Sequence, residues 1–271
     1  MTSTVRRYAT IDSGQVHVRT DDGPDGRLPM LILHQSPLSS RNYDGFIPYL
    51  GEHVQPFAFD TPGHGFSDAA TGEWEIADYA AAFWSAADDL GIGSTAVFAR
   101  ATGATIAVEM ILQQPERVRG PVVLHGLPIY TVEERADRLA NFAPAYPATD
   151  DGAHLHQLWD RIKGQYPEMP AWQATWQLID HLLSGPDFAR AYRAVFRYHM
   201  PDRIPDLLDA LPVEPFVFYG DIDRIGWMIE RAYQHLPERM VNLMPGSTDF
   251  VAEDDPARLF SFLRPYLDQC R

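Results

Sequence analysis

Short apolar runs that alternate with helical stretches are the feature that most constrains the fold of this 271-residue chain. Runs typical of buried strands lie at 30–34, 55–59, 95–98, 120–124, 215–219 and 239–243. Most neighbouring runs are separated by a stretch with helical spacing of apolar residues, such as Ile76 to Leu90. Strands that are joined through helices pair in parallel, so the pattern predicts an α/β fold with a mostly parallel central sheet flanked by helices.

One long segment, residues 127–211, breaks this alternation. It contains no strand-like run and shows several helical stretches separated by Pro and Gly. We therefore expect a helical cap inserted into a core that is formed by residues 1–126 and 212–271. Its tryptophans are Trp159, Trp172 and Trp176. Aromatic residues at helical spacing either form the cap's own core or line a pocket beneath it.

The charge balance narrows the possible partners. The chain carries 22 Lys and Arg residues against 37 Asp and Glu residues, for a formal net charge of −15. So acidic a surface disfavours nucleic acids and anionic membranes as partners. No apolar run is long enough to span a membrane, and the N-terminal MTSTVRRYAT has two arginines without a following apolar stretch. We expect a soluble, cytoplasmic protein whose partner is a small molecule or a peptide.

The sequence offers no motif for a cofactor or a metal. Cys270 is the only cysteine, so an intrachain disulfide is impossible. A Gly-rich phosphate loop, paired cysteines and a His-x-x-x-His spacing are all absent from the sequence. We therefore predict that the protein works without a cofactor and without a metal ion.

Residues 97–104, VFARATGA, have the setting of a sharp turn between a strand and a helix. An apolar strand leads into the turn at Gly103, and a helix with apolar residues at Ile106 and Met110 follows. This arrangement resembles the nucleophile elbow of the α/β-hydrolases, which exposes one catalytic side chain at the carboxyl edge of the sheet. At that position this chain has Ala101, whose side chain is a methyl group.

Four other segments resemble α/β-hydrolase landmarks, and they occur in the family's order. They are 31–37 (LILHQSP), 57–68 (FAFDTPGHGFSD), 215–223 (PFVFYGDID) and 245–256 (PGSTDFVAEDDP). Gln35 departs from the His-Gly that many members have in the first of these segments. By resemblance, Asp223 occupies the position of the triad acid, and Asp249 occupies the position of the triad histidine. The resemblance implies an α/β-hydrolase fold with a helical cap, and without serine and histidine there is no acyl-enzyme route.

The resemblance also implies an anion hole that does not depend on the serine. The backbone N–H of Thr102 is expected to act with that of Gln35 or Ser36. Such donors can stabilise an enolate as readily as a tetrahedral intermediate.

Several side chains are candidates for proton transfer. Asp223 and Asp249 are expected to converge, and two close carboxylates cannot both ionise cheaply, so one would keep its proton near neutral pH. In the alternative interpretation, Asp249 faces water or caps the turn after Thr248. His125 closes a strand and is a second candidate base, unless it is a hydrogen-bonded structural residue.

Substrate binding is assigned to charged and aromatic residues near these positions. Arg100 and Arg224 flank the site and either bind a substrate carboxylate or form surface salt bridges. The aromatic candidates are Tyr130, Trp159, Trp172, Trp176 and Tyr219.

Three functions are compatible with this set. The leading hypothesis is a cofactor-free enzyme for proton-transfer chemistry, such as an epimerase, isomerase, cyclase or lyase, acting on a secondary-metabolite intermediate. The second is a serine hydrolase whose nucleophile is replaced by Ala101. The third is a ligand-binding protein without catalytic activity.

Overall fold

One mixed sheet of eight strands forms the centre of the protein. The computed structural model describes residues 3–24, 26–69 and 71–270, so the first two residues of the N-terminal stretch lie outside the described residues. The strands are β1 (Thr4–Ile11), β2 (Gly14–Asp21), β3 (Pro29–Leu33), β4 (Gln55–Phe59), β5 (Thr95–Arg100), β6 (Val118–His125), β7 (Phe216–Gly220) and β8 (Val241–Met244). Their order across the sheet is β1-β2-β4-β3-β5-β6-β7-β8.

Six of the strands pair in parallel, from β4 through β3, β5, β6 and β7 to β8. Only β1 and β2 run antiparallel, with each other and, for β2, with β4. The prediction of a mostly parallel sheet is therefore confirmed.

Eleven α-helices accompany the sheet in the described part of the chain. They are α1 (Ile47–Leu50), α2 (Ile76–Asp89), α3 (Thr102–Gln113), α4 (Val132–Asn141), α5 (Ala153–Gln165), α6 (Ala171–Leu183), α7 (Arg190–Arg197), α8 (Met200–Ala210), α9 (Ile229–His235), α10 (Val251–Asp254) and α11 (Pro256–Gln269). No described helix combines the length and the apolar character that are needed to span a membrane.

The sheet is buried on both faces, as parallel sheets require. All six residues of β5 are buried. Because neighbouring side chains on a strand point to opposite faces, Val97 packs into one apolar cluster with helices α2 and α3. Phe98 packs into a second cluster with α11 on the other face. The central strand therefore stands in the middle of the core, and its end is held rigidly.

Helices α4 to α8 all lie between β6 and β7, in the segment for which we proposed a cap. We call residues 127–211 the insert. Helix α7 contributes Ala191 and Ala194, both fully buried, to the cluster that contains α3. Helix α6 is tied to the core by the Ser39 hydroxyl, which donates to Asp180 over 2.8 Å, and by Gln173, which donates to Asp254 over 2.8 Å. The insert is thus packed against the core at several points.

Candidate functional site

The turn between β5 and α3 holds the backbone of Ala101 in an uncommon conformation. Ala101 has φ 48° and ψ −108°, and it is the only residue other than glycine with positive φ in the described part of the chain. Such a conformation costs about 1–3 kcal/mol and persists only where the surrounding structure enforces it. Gly103 allows the close packing that enforces this conformation, because a Cβ at this position would lie 2.3 Å from the Leu33 carbonyl oxygen. Helix α3 therefore starts directly against β3, and the side chain of residue 101 faces the cleft described below.

Residues expected to supply an anion hole line the same cleft as the Ala101 methyl group. Thr102 is the first residue of α3, so its N–H has no partner within the helix and lies at the positive end of the helix dipole. Gln35 and Ser36 line the same cleft as Ala101 and Thr102. The Ser36 hydroxyl is buried and makes no hydrogen bond to any described residue.

His34 fixes the loop that carries Gln35 and Ser36. Its Nε2 accepts the Thr61 N–H over 2.9 Å, so its Nδ1 carries the proton and donates to the Gln35 carbonyl oxygen over 2.9 Å. Burial lowers the pKa of His34, which keeps the ring neutral. Tyr192 of the insert donates its hydroxyl to the Ser36 carbonyl oxygen. The loop is therefore held from the core and from the insert.

A buried arginine joins the two aspartates that the sequence singles out. Arg100 Nη2 lies 2.8 Å from Asp223 Oδ2 and 2.7 Å from Asp249 Oδ1. His125 Nε2 lies 3.3 Å from Asp223 Oδ2. The structure thus brings Asp223, Asp249 and His125 together around one guanidinium group, next to Ala101. We call these four charged or titratable residues the Arg100 cluster.

The sheet explains why the cluster assembles. Arg100 ends β5 and stands in register with His125 at the end of β6, while Asp223 and Asp249 follow β7 and β8. The carboxyl ends of parallel strands lie at one edge, so all four side chains meet there. Gly126 leaves the space for the guanidinium group, since its φ is +63° and a Cβ there would lie 2.3 Å from Arg100 Nη1.

The two aspartates differ strongly in proton affinity. Burial raises the pKa of Asp249 to about 7, and the neighbouring Asp223 adds to this effect more than Arg100 opposes it. Burial also acts to raise the pKa of Asp223, but the Arg100 guanidinium and the nearby His125 ring outweigh it. The pKa of Asp223 therefore lies well below its usual range, and Asp249 is the carboxyl that gains or loses a proton near neutral pH.

The interpretation that Asp249 faces water does not fit its position. Asp249 is enclosed, and besides the contact with Arg100 its Oδ2 accepts the Arg224 backbone N–H over 3.1 Å. His125 is equally enclosed and stacks on Phe218 with 4.2 Å between ring centroids. Burial and the adjacent Arg100 lower the pKa of His125 to about 4. At neutral pH His125 is therefore a weak proton acceptor compared with Asp249.

A cleft of about 90 Å³ opens beside Ala101 and the cluster. Its walls come from the core loops and from the insert. They include Pro128, Tyr130, Phe142, Gln165, Tyr166, Tyr192, Val195, Phe196, Arg224 and Ile225. The Arg224 guanidinium group lies 5.4 Å from the ring centroid of Tyr166. No described carboxylate lies within ion-pairing distance of this group, which leaves a positive charge at the cleft.

The structure corrects the expected role of Arg100. We expected a substrate-binding arginine, but its side chain is only 3% exposed and is held by two carboxylates. A guanidinium group in this state holds the carboxylates in place and is not free to bind a substrate anion. Arg224 is the arginine of the flanking pair that remains available.

Three aromatic candidates lie away from the cleft. Trp172 and Trp176 are 57% and 44% exposed on α6, and Trp176 packs under the Arg41 guanidinium. Tyr219 is fully buried in β7, and its hydroxyl donates to the Leu127 carbonyl oxygen over 2.8 Å. Periodicity alone could not tell these positions from pocket positions, because it does not show which face of a helix meets the core.

Of the other two aromatic candidates, only one lines the cleft. Trp159 packs against a small apolar cluster with Ile162 and Phe250 and does not line the cleft. Tyr130 does line it. The aromatic residues that the candidate set lacks are Phe142, Tyr166, Tyr192 and Phe196. The sequence singles them out only by their position in the aromatic-rich insert.

The described residues contain no group of three or more His, Cys, Asp or Glu side chains that is arranged to hold a metal ion.

Comparisons with known proteins agree with this fold. The profile of the alpha/beta hydrolase fold family matches residues 29–199. Among solved structures, the chain is similar to a membrane phospholipase A that is a bacterial virulence factor, with a TM-score of 0.77 and 18% identity over 98% of this chain and 86% of that one. An enol-lactonase from Burkholderia xenovorans LB400 superposes with a TM-score of 0.76 and 16% identity, over 97% and 100% of the two chains.

A third structure, an N-acyl homoserine lactonase mutant complexed with N-hexanoyl homoserine, has a TM-score of 0.73 and 20% identity, over 99% of this chain and 98% of that one. At these identities the likeness concerns the fold, whereas the family profile covers more than half of the sequence. This chain belongs to the alpha/beta hydrolase fold family.

Proposed function

We propose that the protein is a cofactor-free enzyme that moves a proton on a carbon next to a carbonyl group, as in an epimerisation, isomerisation, cyclisation or lyase reaction. The observation that carries the proposal is the Arg100 cluster. It places a carboxyl group with a pKa of about 7 beside the backbone amides of the elbow, where residue 101 has only a methyl group. A general base works best when its pKa lies near the working pH.

The proposed reaction divides the work between Asp249 and the amides. In its ionised form Asp249 accepts a proton from the substrate carbon, and the C–H electron pair moves into the carbonyl group to give an enolate. The enolate oxygen accepts hydrogen bonds from the Thr102 and Gln35 N–H groups. Return of the proton to carbon completes an isomerisation, and departure of a β-leaving group with the same electron pair completes a lyase reaction.

Arg224 supports the proposal that the substrate is a carboxylate. Its guanidinium group lines the cleft and has no carboxylate partner in the described part of the chain. Guanidinium groups bind carboxylates through two parallel hydrogen bonds. The rings of Tyr130, Phe142 and Tyr166 would then contact an apolar or aromatic portion of the same molecule.

The similar solved structures favour a second candidate, ester or lactone hydrolysis. Two of those described above are named as lactonases, and this chain keeps the elbow geometry at Ala101. In that case the protein is a serine hydrolase with the nucleophile replaced, and Ala101→Ser would restore ester hydrolysis. Against it, position 249 has a carboxyl group that is already engaged by Arg100. We expect Ala101→Ser to give no covalent adduct with activated esters.

The test is proton exchange in heavy water. The protein is incubated with a cell-extract pool of metabolites, and mass spectrometry follows the incorporation of deuterium at carbon. We expect one carboxylate to gain a deuterium, at a rate that Asp249→Asn lowers by about 10²–10⁴-fold, the usual contribution of a general base. Arg224→Met should weaken binding of the same compound.

Two outcomes would contradict the proposal. Hydrolysis by Ala101→Ser, with an adduct on the restored serine, would establish the hydrolase. Tight binding of a compound that neither exchanges nor changes mass would establish the third possibility, a binding protein.

A further inference from the structure

Three neighbouring spaces lie in a row between the cleft and a second opening on the surface. Behind the cleft lies an enclosed cavity of about 20 Å³, and behind that lies a surface cavity of about 390 Å³. Gln35, Arg100 and Asp249 line both the cleft and the enclosed cavity. Asn42 and Glu253 line both the enclosed cavity and the surface cavity. Each space therefore shares walls with the next.

The enclosed cavity has the size and the chemistry of a water site. About 10–15 Å³ suffices for one water molecule, provided that two to four polar groups surround it. Gln35 Oε1 and Asn42 Oδ1 are buried oxygens that accept no hydrogen bond from the described residues. Both residues line this cavity together with Asp249, so a water in it has three polar side chains as neighbours.

The outer end of the enclosed cavity is polar and continues to solvent. Asn42 Nδ2 donates to Glu253 Oε2 over 3.2 Å, and Glu253 is held by Arg41 over 2.6 Å. The surface cavity beyond them is bordered by Phe66 and Trp176, which are 50% and 44% exposed, so it opens to bulk water. The Asn42–Glu253 contact therefore lies in the wall that the two cavities share.

We propose that water in the enclosed cavity connects Asp249 to solvent in the surface cavity, past the Asn42–Glu253 contact and independently of the cleft. We call this route the rear path. A molecule bound in the cleft covers the front of Asp249. The rear path lets the carboxyl group exchange its proton with solvent while the cleft is occupied.

The inference does not rest on the proposed function, because it can be tested without turnover. In a Cys270→Ser background, Ala101→Cys places a thiol in the cleft, and alkylation with N-phenylmaleimide closes the front. Exchange of the protonated Asp249 carboxyl group from H₂O into D₂O is then followed by rapid-mixing infrared spectroscopy at slightly acid pH. Asp249→Asn assigns the carboxyl band.

We expect the alkylated protein to exchange as fast as the unalkylated one. Adding Ala252→Val, which fills the enclosed cavity from α10, should slow exchange by about tenfold or more, because exchange then requires a local opening of the structure. Ala257→Val, at an exposed position of α11, is the matched control and should leave the rate unchanged. If Ala252→Val does not fold, Asn42→Leu takes its place.

Two results would overturn the rear path. Loss of exchange on alkylation alone would show that the cleft is the only route. If the alkylated protein with Ala252→Val exchanges the Asp249 proton as fast as the alkylated protein without it, the enclosed cavity is not part of the route.

Discussion

At the residue scale, Arg100 sets the charge balance of the candidate site. One guanidinium group lies within 2.8 Å of two carboxyl groups, and all three side chains are buried. With both carboxyl groups ionised, the cluster would hold an uncompensated negative charge in a region of low dielectric constant, which is expensive. A proton on Asp249 leaves Arg100 and Asp223 as a neutral ion pair. This is why the two pKa values separate.

Arg100→Met should destabilise the protein strongly. It removes the cation and leaves Asp223 and Asp249 buried without a counter-charge, which costs about 3–5 kcal/mol in comparable cases. Arg224→Met removes an exposed guanidinium group without an ion-pair partner and should change the free energy of unfolding by less than about 0.5 kcal/mol. Urea denaturation of both variants measures the difference. Equal stability of the Arg100 variant and the wild type would refute the role assigned to this arginine.

The stability of the protein should carry a pH signature of Asp249. Its folded-state pKa of about 7 lies above the ordinary value of 3.8, so the stabilisation is fully present below the lower value and is lost as the pH rises through the higher one. Asp249→Asn cannot titrate at this position. The free energy of unfolding of the variant minus that of the wild type should therefore rise between these two pH values and then level off. A difference that does not vary with pH would contradict the assignment.

The sequence predicts part of this cluster. The resemblance placed Asp223 and Asp249 at one edge of the sheet, and the end of a predicted parallel strand placed His125 at the same edge. The position of Arg100 in the sequence left a substrate carboxylate and a surface salt bridge as alternatives, since an arginine after an apolar run gives no sign of which carboxylate it will meet. That contact depends on the loop after β8, whose position no local pattern specifies.

At the element scale, the elbow shows how tightly β5 and α3 are joined. Gly103 cannot carry a side chain because of the Leu33 carbonyl oxygen, and Ala101 pays a backbone strain although its side chain is only a methyl group. The strained turn leads directly into Thr102, the first residue of α3, which lines the cleft. A strained turn that carries no nucleophile fits the proposed site, in which the Thr102 backbone amide contacts the substrate.

Ala101→Gly should stabilise the protein. Glycine removes the positive-φ strain of about 1–3 kcal/mol. It also loses more conformational entropy on folding, which costs about 0.5–1 kcal/mol, so the free energy of unfolding should rise by about 1 kcal/mol. Ala104→Gly, three residues further in α3, is the control and should cost about 1 kcal/mol. Thermal or chemical unfolding compares them. Destabilisation of similar size in both variants would show that residue 101 is not strained.

Strand ends are the part of the elements that the sequence predicts least well. The apolar pattern ended the central strands at 98 and 124, whereas β5 runs to Arg100 and β6 runs to His125. Polar residues at a strand end lower the hydrophobic signal, yet here ion pairs and backbone pairing keep them in the sheet. Arg100 and His125 belong to the candidate site, so the apolar pattern is least accurate at the residues of that site.

At the scale of the whole molecule, packing is unevenly distributed between the core and the insert. Helix α3 buries nine residues, whereas α4 buries none. The contacts of helix α4 are mostly polar: its capping box at Thr131, the ion pair of Glu134 with Arg231 and the hydrogen bond from Arg135 to the Arg197 carbonyl oxygen. Which helices of the insert meet the cleft was not readable from the sequence, because aromatic residues occur on packed and exposed faces alike.

Hydrogen exchange should follow this difference. We expect amides of α4 to exchange about a hundredfold or more faster than amides of α3, because few buried contacts must break to open α4. Mass spectrometry of peptides from the exchanged protein measures both helices in one sample. Comparable protection of α4 and α3 would mean that the insert is as firmly packed as the core.

Direct titration of Asp249 tests the central claim, that this carboxyl group is poised to exchange a proton near neutral pH. The protein is labelled with ¹³C at the aspartate carboxyl carbons, and NMR follows the chemical shifts with pH, with Asp249→Asn as the assignment control. We expect the Asp249 carboxyl group to titrate near pH 7 and the Asp223 carboxyl group to stay ionised at much lower pH. A titration of Asp249 near the ordinary value of 3.8 would contradict it.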